Sequence, residues 1–254
     1  MNQFQSHTQN QDFEPGQMHG HMHTAAQASV EERAKFIERT YIHLAGAIAL
    51  FVLLEAIVLS IPGVDTFTFE LLSTSSYSWL MVLGLFMGVS YIADRWARTS
   101  ASKGMQYAGL GLYVVAEVVI FVPLLLIAQV VAAETGDDII LTAGISTMAI
   151  FSALTGYVLY TKRDFSWMRG ALVIASLGVM GLIVASIMFG FGLGVIFTVG
   201  MIVLAACYVL YYTSNVLHHY HTTQHVAAAL SLFSAVALLF WYVLRLVIAL
   251  SGRD

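Results

Sequence analysis

From Gly170 to Leu217 the chain runs through 48 consecutive residues without one Asp, Glu, Lys or Arg. No water-exposed surface can be built from such a stretch, and at 1.5 Å per residue a single helix of that length would far exceed the ~30 Å hydrocarbon layer of a bilayer. It must therefore fold back on itself once. Gly190, Gly192 and Gly194 sit near its middle, where the backbone can reverse without a Cβ penalty. Two membrane-crossing helices joined by a glycine turn are the expected result.

The rest of the chain repeats this pattern. Charged residues make up 10% of the 254 positions, against roughly 25% in an ordinary soluble domain. They fall at breaks that leave seven apolar segments near 41–61, 76–96, 107–132, 139–161, 168–189, 193–214 and 226–250. The fold class expected is an all-α integral membrane protein, a bundle of seven transmembrane helices spanning residues 39–254. Residues 1–38, rich in Gln, His, Asn and Met, are expected to form a disordered polar tail. No apolar run begins before Tyr41, so the tail does not read as a signal peptide.

Charge also sets an expected orientation. Arg33, Lys35 and Arg39 precede the first span, Arg95, Arg98 and Lys103 lie in the second connection, and Lys162, Arg163 and Arg169 lie in the fourth. Nine of the 11 basic residues thus fall on one side, while Asp65, Glu70, Glu134, Asp137 and Asp138 mark the first and third connections. By the positive-inside rule the N-terminus is cytoplasmic and Asp254 outside, in a cell inner (plasma) membrane.

Several function classes drop out. A net charge of −4 leaves no basic patch for nucleic acid. The single Cys207 has no partner for an intramolecular disulfide. Eight of nine histidines lie outside the spans, which removes haem ligation and an intramembrane zinc hydrolase. Lys35, Lys103 and Lys162 all lie in the tail or connections, so no retinal Schiff base can form in the bundle. No cofactor and no catalytic residue are expected. His7, His19, His21 and His23 in the tail, and His218, His219, His221 and His225 in the sixth connection, read either as solvated polar segments or as weak metal or proton sensors.

Three ionisable side chains remain within spans, where each needs a partner, water or neutralisation. Glu117 lies about ten residues, roughly 15 Å, into the third span and so near the midplane. It is a candidate proton-responsive group; a carboxyl hydrogen-bonded to a neighbouring helix is the plainer reading. Glu55 and Arg245 both lie toward the outer ends of their spans and are expected to pair, unless Arg245 snorkels to the surface. Ser231, Ser234, Leu238, Trp241 and Arg245 share one face of the seventh span, either lining a pathway or serving helix packing. Gly84 with Gly88, and Gly178 with Gly181, read as packing contacts. Pro123 is expected to kink the third span near Glu117.

The most distinctive stretch joins the fourth and fifth spans: FSALTGYVLY over 151–160, TKRDFS over 161–166, then GALVIASLGVMGLIVAS over 170–186. ALSL at 229–232 and YVLRL at 242–246 follow in the last span. These segments resemble the Bax inhibitor-1 (transmembrane Bax inhibitor motif) family, with Lys162, Arg163 and Asp164 in its most specific connection. The resemblance implies a seven-helix bundle, a pH-sensitive calcium or proton leak and, in bacteria, modulation of a membrane-bound protease. The family's aspartates, in a "YDTQ"-like motif ending the sixth span and an "LYLDF"-like motif in the seventh, align with Tyr212 and Ala235. Ion passage in this chain would then draw its charge from Glu117 and Glu55.

Overall fold

The computed structural model describes residues 24–75, 77–99 and 102–252. The tail histidines His7, His19, His21 and His23, and Asp254, lie outside the described residues. The first helix, α1 (Val30–Leu59), opens on a capping box: the Ser29 hydroxyl accepts from the Glu32 backbone N–H while the Glu32 carboxylate accepts from that of Ser29. This cap starts the helix inside the stretch assigned by composition to the tail, so residues 30–38 are helical. Ahead of it, residues 24–29 are held in place. The Ala25 N–H donates to Tyr220 O at 2.8 Å, Thr24 bridges His221, and the Arg33 guanidinium donates to the carbonyls of Ala25 and Ala26.

The chain continues through α2 (Val64–Ser73), α3 (Ser78–Ala97), α4 (Lys103–Thr135), α5 (Ile139–Thr161), a 3-10 turn at Ser166–Met168, α6 (Arg169–Phe189), α7 (Val195–His218) and α8 (His225–Ser251). All but α2 are long and apolar enough to cross a membrane, and they match the seven expected spans. Helix α2, ten residues and so about 15 Å long, is too short to cross and occupies the first acidic connection. The glycine turn falls where expected: α6 ends on Gly190 at φ 72° and α7 starts after Gly194.

Helices α4 and α8 form the centre. Helix α8 packs against α1, α3, α4, α5 and α7, and its run Ala227, Ala228, Ala229, Leu232 is almost wholly buried. Helix α6 is the outlier: it packs chiefly on α7 and leaves most of its apolar surface exposed. Helix α4 continues as one helix through Pro123.

The tightest helix approach lies away from the expected glycines. Gly84, Gly88, Gly178 and Gly181 each face open space, where an added methyl group would meet nothing within 4 Å. At Gly109, by contrast, a Cβ would lie 2.5 Å from Ala93 O and 2.6 Å from Ala97 N. Ala93 and Ala97 form the small-residue stripe of α3 that lets α4 come this near.

Candidate functional site

Ring contacts fix the depths of the ionisable groups. Phe233 of α8 touches Phe51 of α1 and Tyr113 of α4, each at 6.1 Å between ring centroids. Helices α1, α4 and α8 run in the same direction, so one turn beyond this layer stand Glu55, Glu117 and Ala237. The two carboxyl groups therefore share a depth, and they lie within electrostatic range of each other. The next aromatic layer closes over them: Phe121 stacks on Phe240 at 5.5 Å and meets Trp241 edge-on at 5.1 Å.

The same register removes the expected Glu55–Arg245 pair. Arg245 stands eight residues past Ala237, about 12 Å farther along α8. Its Nη2 donates instead to Leu193 O at 2.8 Å, in the α6–α7 turn. Both Glu55 oxygens are buried without a hydrogen-bond partner. Equal distance from a span's end, as judged from sequence, did not mean equal depth, because α8 begins and ends at different levels from α1.

Glu117 is 6% exposed, and the surface it keeps faces a cavity of about 670 Å³. Tyr113 lies one turn back on α4 and lines the same cavity. Ser234, Leu238, Trp241 and Arg245 line this cavity from α8, so four of the five residues on the expected stripe face it. Arg245 marks its end nearest the acidic connections. At the opposite end Tyr208 and Tyr212 close it; their rings stack at 5.5 Å, and Tyr208 Oη hydrogen-bonds Ser176 Oγ at 2.7 Å.

Those two tyrosines also line a second, more polar cavity of about 960 Å³ at the end where the basic residues gather. Ser231 belongs to this side: its Oγ pairs with Tyr220 Oη at 2.8 Å and accepts from Arg98 Nη2 at 3.2 Å. Arg98 Nε also bonds both oxygens of Asp94 at 2.8 Å. Burial works against the Arg98 charge, but Asp94 and Tyr220 outweigh it and hold the guanidinium above its ordinary pKa. Tyr212 and Ala235 both face the 670 Å³ cavity, and Tyr212 forms part of the partition between the two.

The TKRD connection fastens α5 and α6 to the end of α7. Lys162 ends α5 in the left-handed region at φ 52°, and its carbonyl meets His218 Nε2 at 3.2 Å. Ser214, fully buried, accepts from the Phe165 N–H at 2.8 Å. Asp164 accepts from the Ser166 N–H at 2.8 Å and faces His219 Nε2 at 3.3 Å. Partial burial pushes the Asp164 carboxyl up, but the Ser166 bonds and His219 prevail and hold it at about 2. The side chains of Lys162 and Arg163 project outward from this turn.

The histidines of the sixth connection are thus spread over separate contacts. His225 meets His43 at 4.9 Å between ring centroids, and His43 in turn bonds Tyr107 Oη. Among the described residues no three His, Cys, Asp or Glu side chains converge as a metal site. Of the partition residues, Tyr212 drew notice in the sequence only as a position without the family's aspartate, and Tyr208 drew none, because a tyrosine on an apolar helix resembles any core aromatic.

Two curated relatives match parts of the chain. An uncharacterized protein of Pseudomonas aeruginosa is 27% identical over 120 residues, covering 47% of this chain and 53% of the relative. An uncharacterized protein of Pasteurella multocida is 32% identical over 108 residues, covering 42% and 49%. The chain spans about half the length of the curated relatives it matches. A family model described as "Inhibitor of apoptosis-promoting Bax1" matches residues 33–253, from the first turn of α1 to the end of α8, including the TKRD connection and both cavities. The chain belongs to that family of helical membrane proteins.

Proposed function

We propose that the protein is a pH-responsive leak pathway for a cation, calcium or the proton, with Glu117 as its titrating group and Glu55 as the second acid. The observation that carries this reading is the position of Glu117: near mid-membrane, facing a cavity that runs toward one end of the bundle, with a second cavity beyond the Tyr208–Tyr212 partition. An intramembrane carboxyl that faces a cavity is the usual mark of an ion or proton path. Two carboxylates at one depth repel when both are charged, and protonation relieves that repulsion. The pair thus does the work expected of the aspartates absent at Tyr212 and Ala235, from α1 and α4 instead of α7 and α8. In this reading the basic end is cytoplasmic, the membrane is the cell's inner membrane and no catalytic step is assigned.

The test is flux in vesicles reconstituted with the full chain, measured for calcium and for protons between pH 5 and pH 8. Wild-type flux is expected to change with pH, and Glu117→Gln to abolish that dependence. Flux that is the same at every pH in both proteins disposes of the reading.

A second reading rests on the TKRD turn. Lys162 and Arg163 project from a connection that Ser214 and His219 hold in one shape, the form of a docking element for a membrane protease or other membrane complex. Replacing both with Ala is then expected to remove a co-purifying partner while leaving vesicle flux unchanged. Retention of every partner ends this reading.

A further inference from the structure

Four observations about the 670 Å³ cavity are not used by the leak pathway. Its volume lies within the roughly 300–1,000 Å³ of ligand sites. Its walls are mostly apolar and come on one side from α3, with Leu83 and Phe86, and on the other from α6, with Val179 and Ile183. Helix α3 packs chiefly on α4, and α6 chiefly on α7, so the two walls of the cavity are not packed tightly on each other. The fourth is Arg245, which stands at the acidic end of the cavity. Its hydrogen-bond partner is one carbonyl, Leu193 O, and among the described residues no carboxylate lies within ion-pair distance of it.

We infer that this cavity takes up a single-chain anionic amphiphile, a fatty acid, between its α3 and α6 walls, with its carboxylate on Arg245 and its chain along α8. A guanidinium offers five N–H donors in a planar fork suited to a carboxylate, and only one nitrogen is engaged by Leu193. The chain length fits as well. Arg245 and Ser234 are eleven residues apart, about 16 Å along the helix, which is close to half of the ~30 Å hydrocarbon layer and so to the reach of one acyl chain. Between them α8 presents Leu238 and Trp241, and Glu117 faces the same stretch from α4 at the level of Ala237. The inference stands apart from the leak reading, since it does not require Glu117 to carry or sense ions.

Trp79 and Trp241 line the cavity and stack at 6.2 Å, which supplies the readout. The detergent-solubilised full chain is titrated with dibromostearic acid and, separately, with its methyl ester, while tryptophan quenching is followed. The acid is expected to quench saturably and to bind about tenfold more tightly than the ester, the scale of one charge-assisted hydrogen-bonded contact. Arg245→Gln is expected to bring the acid to the affinity of the ester. Equal binding of acid and ester by the wild-type protein, or a tenfold preference that survives Arg245→Gln, overturns the inference. Displacement of the acid by dioleoylphosphatidylglycerol at equal potency assigns the site to a diacyl lipid and overturns the single-chain assignment. Loss of pH-dependent flux in Glu117→Gln, with fatty-acid binding intact, separates the two proposals.

Discussion

Gly109→Ala tests the helix packing most directly, because the same change two residues away supplies its control. At Gly109 the new methyl would lie 2.5 Å from Ala93 O, 2.6 Å from Ala97 N and 3.0 Å from Trp96 Cβ. Two of these three are backbone atoms of α3, which cannot rotate aside, so α3 and α4 must separate by a substantial fraction of an ångström along their tightest contact. Overpacking of this kind costs typically 1–3 kcal/mol, and rigid partners place it near ~3. The Ala side chain also favours the helix by up to about 1 kcal/mol over Gly. At Gly111 a methyl meets nothing within 4 Å, so Gly111→Ala carries the propensity gain alone. The difference between the two variants therefore isolates the packing cost, about 3 kcal/mol. Thermal unfolding of the detergent-solubilised protein, followed by fluorescence-detected size exclusion, measures it. Gly109→Ala is expected to melt on the order of 5–10 °C below Gly111→Ala. Equal melting of the two would refute the close α3–α4 approach.

Other expectations follow from the turn and the partition. Asp164 ionises at about 2 in the folded protein against about 3.9 in an unfolded chain, so its stabilising effect is complete above about pH 4 and is lost as pH falls toward 2. Asp164→Asn should therefore flatten that part of a melting-temperature profile recorded from pH 2 to pH 5; an unchanged slope contradicts the assignment. Ser214→Ala strands the Phe165 N–H and should cost about 1–3 kcal/mol, read as a lower melting temperature at neutral pH. Tyr212→Ala removes one ring of the partition that separates the two cavities and should raise vesicle flux several-fold, whereas unchanged flux would place the barrier elsewhere.

Much of this architecture is legible in the chain because bilayer crossing is decided by local apolar length. The seven spans, the Gly190–Gly194 reversal and the TKRD turn all depend on residues close in sequence. Depth matching does not. Glu55 and Arg245 look equivalent when counted from the ends of their spans, yet the Phe51–Phe233 contact places Arg245 about two turns beyond Glu55. The same contact layer, with Tyr113, brings Glu55 level with Glu117, a relation between helices that no single segment encodes. Packing glycines show the same limit. Gly84 and Gly88 have the familiar spacing but face open space, while Gly109 has no glycine partner and meets backbone, because its complement is a pair of alanines on another helix. The start of α1 is a local signal that composition obscures: Ser29 and Glu32 form a capping box in a stretch otherwise rich in polar residues.

The Ala25–Tyr220 hydrogen bond joins positions 195 residues apart. In a chain made from its N-terminus onward, residues 24–29 exist long before the α7–α8 connection that receives them. All the intervening spans must be threaded before that connection emerges. The clasp is thus among the longest-range contacts of the fold and one of the last available to it. A protease that cuts near residue 24 would report whether assembly has finished: the backbone there lacks its Tyr220 partner in every partly inserted chain and is held by it once the α7–α8 connection is in place.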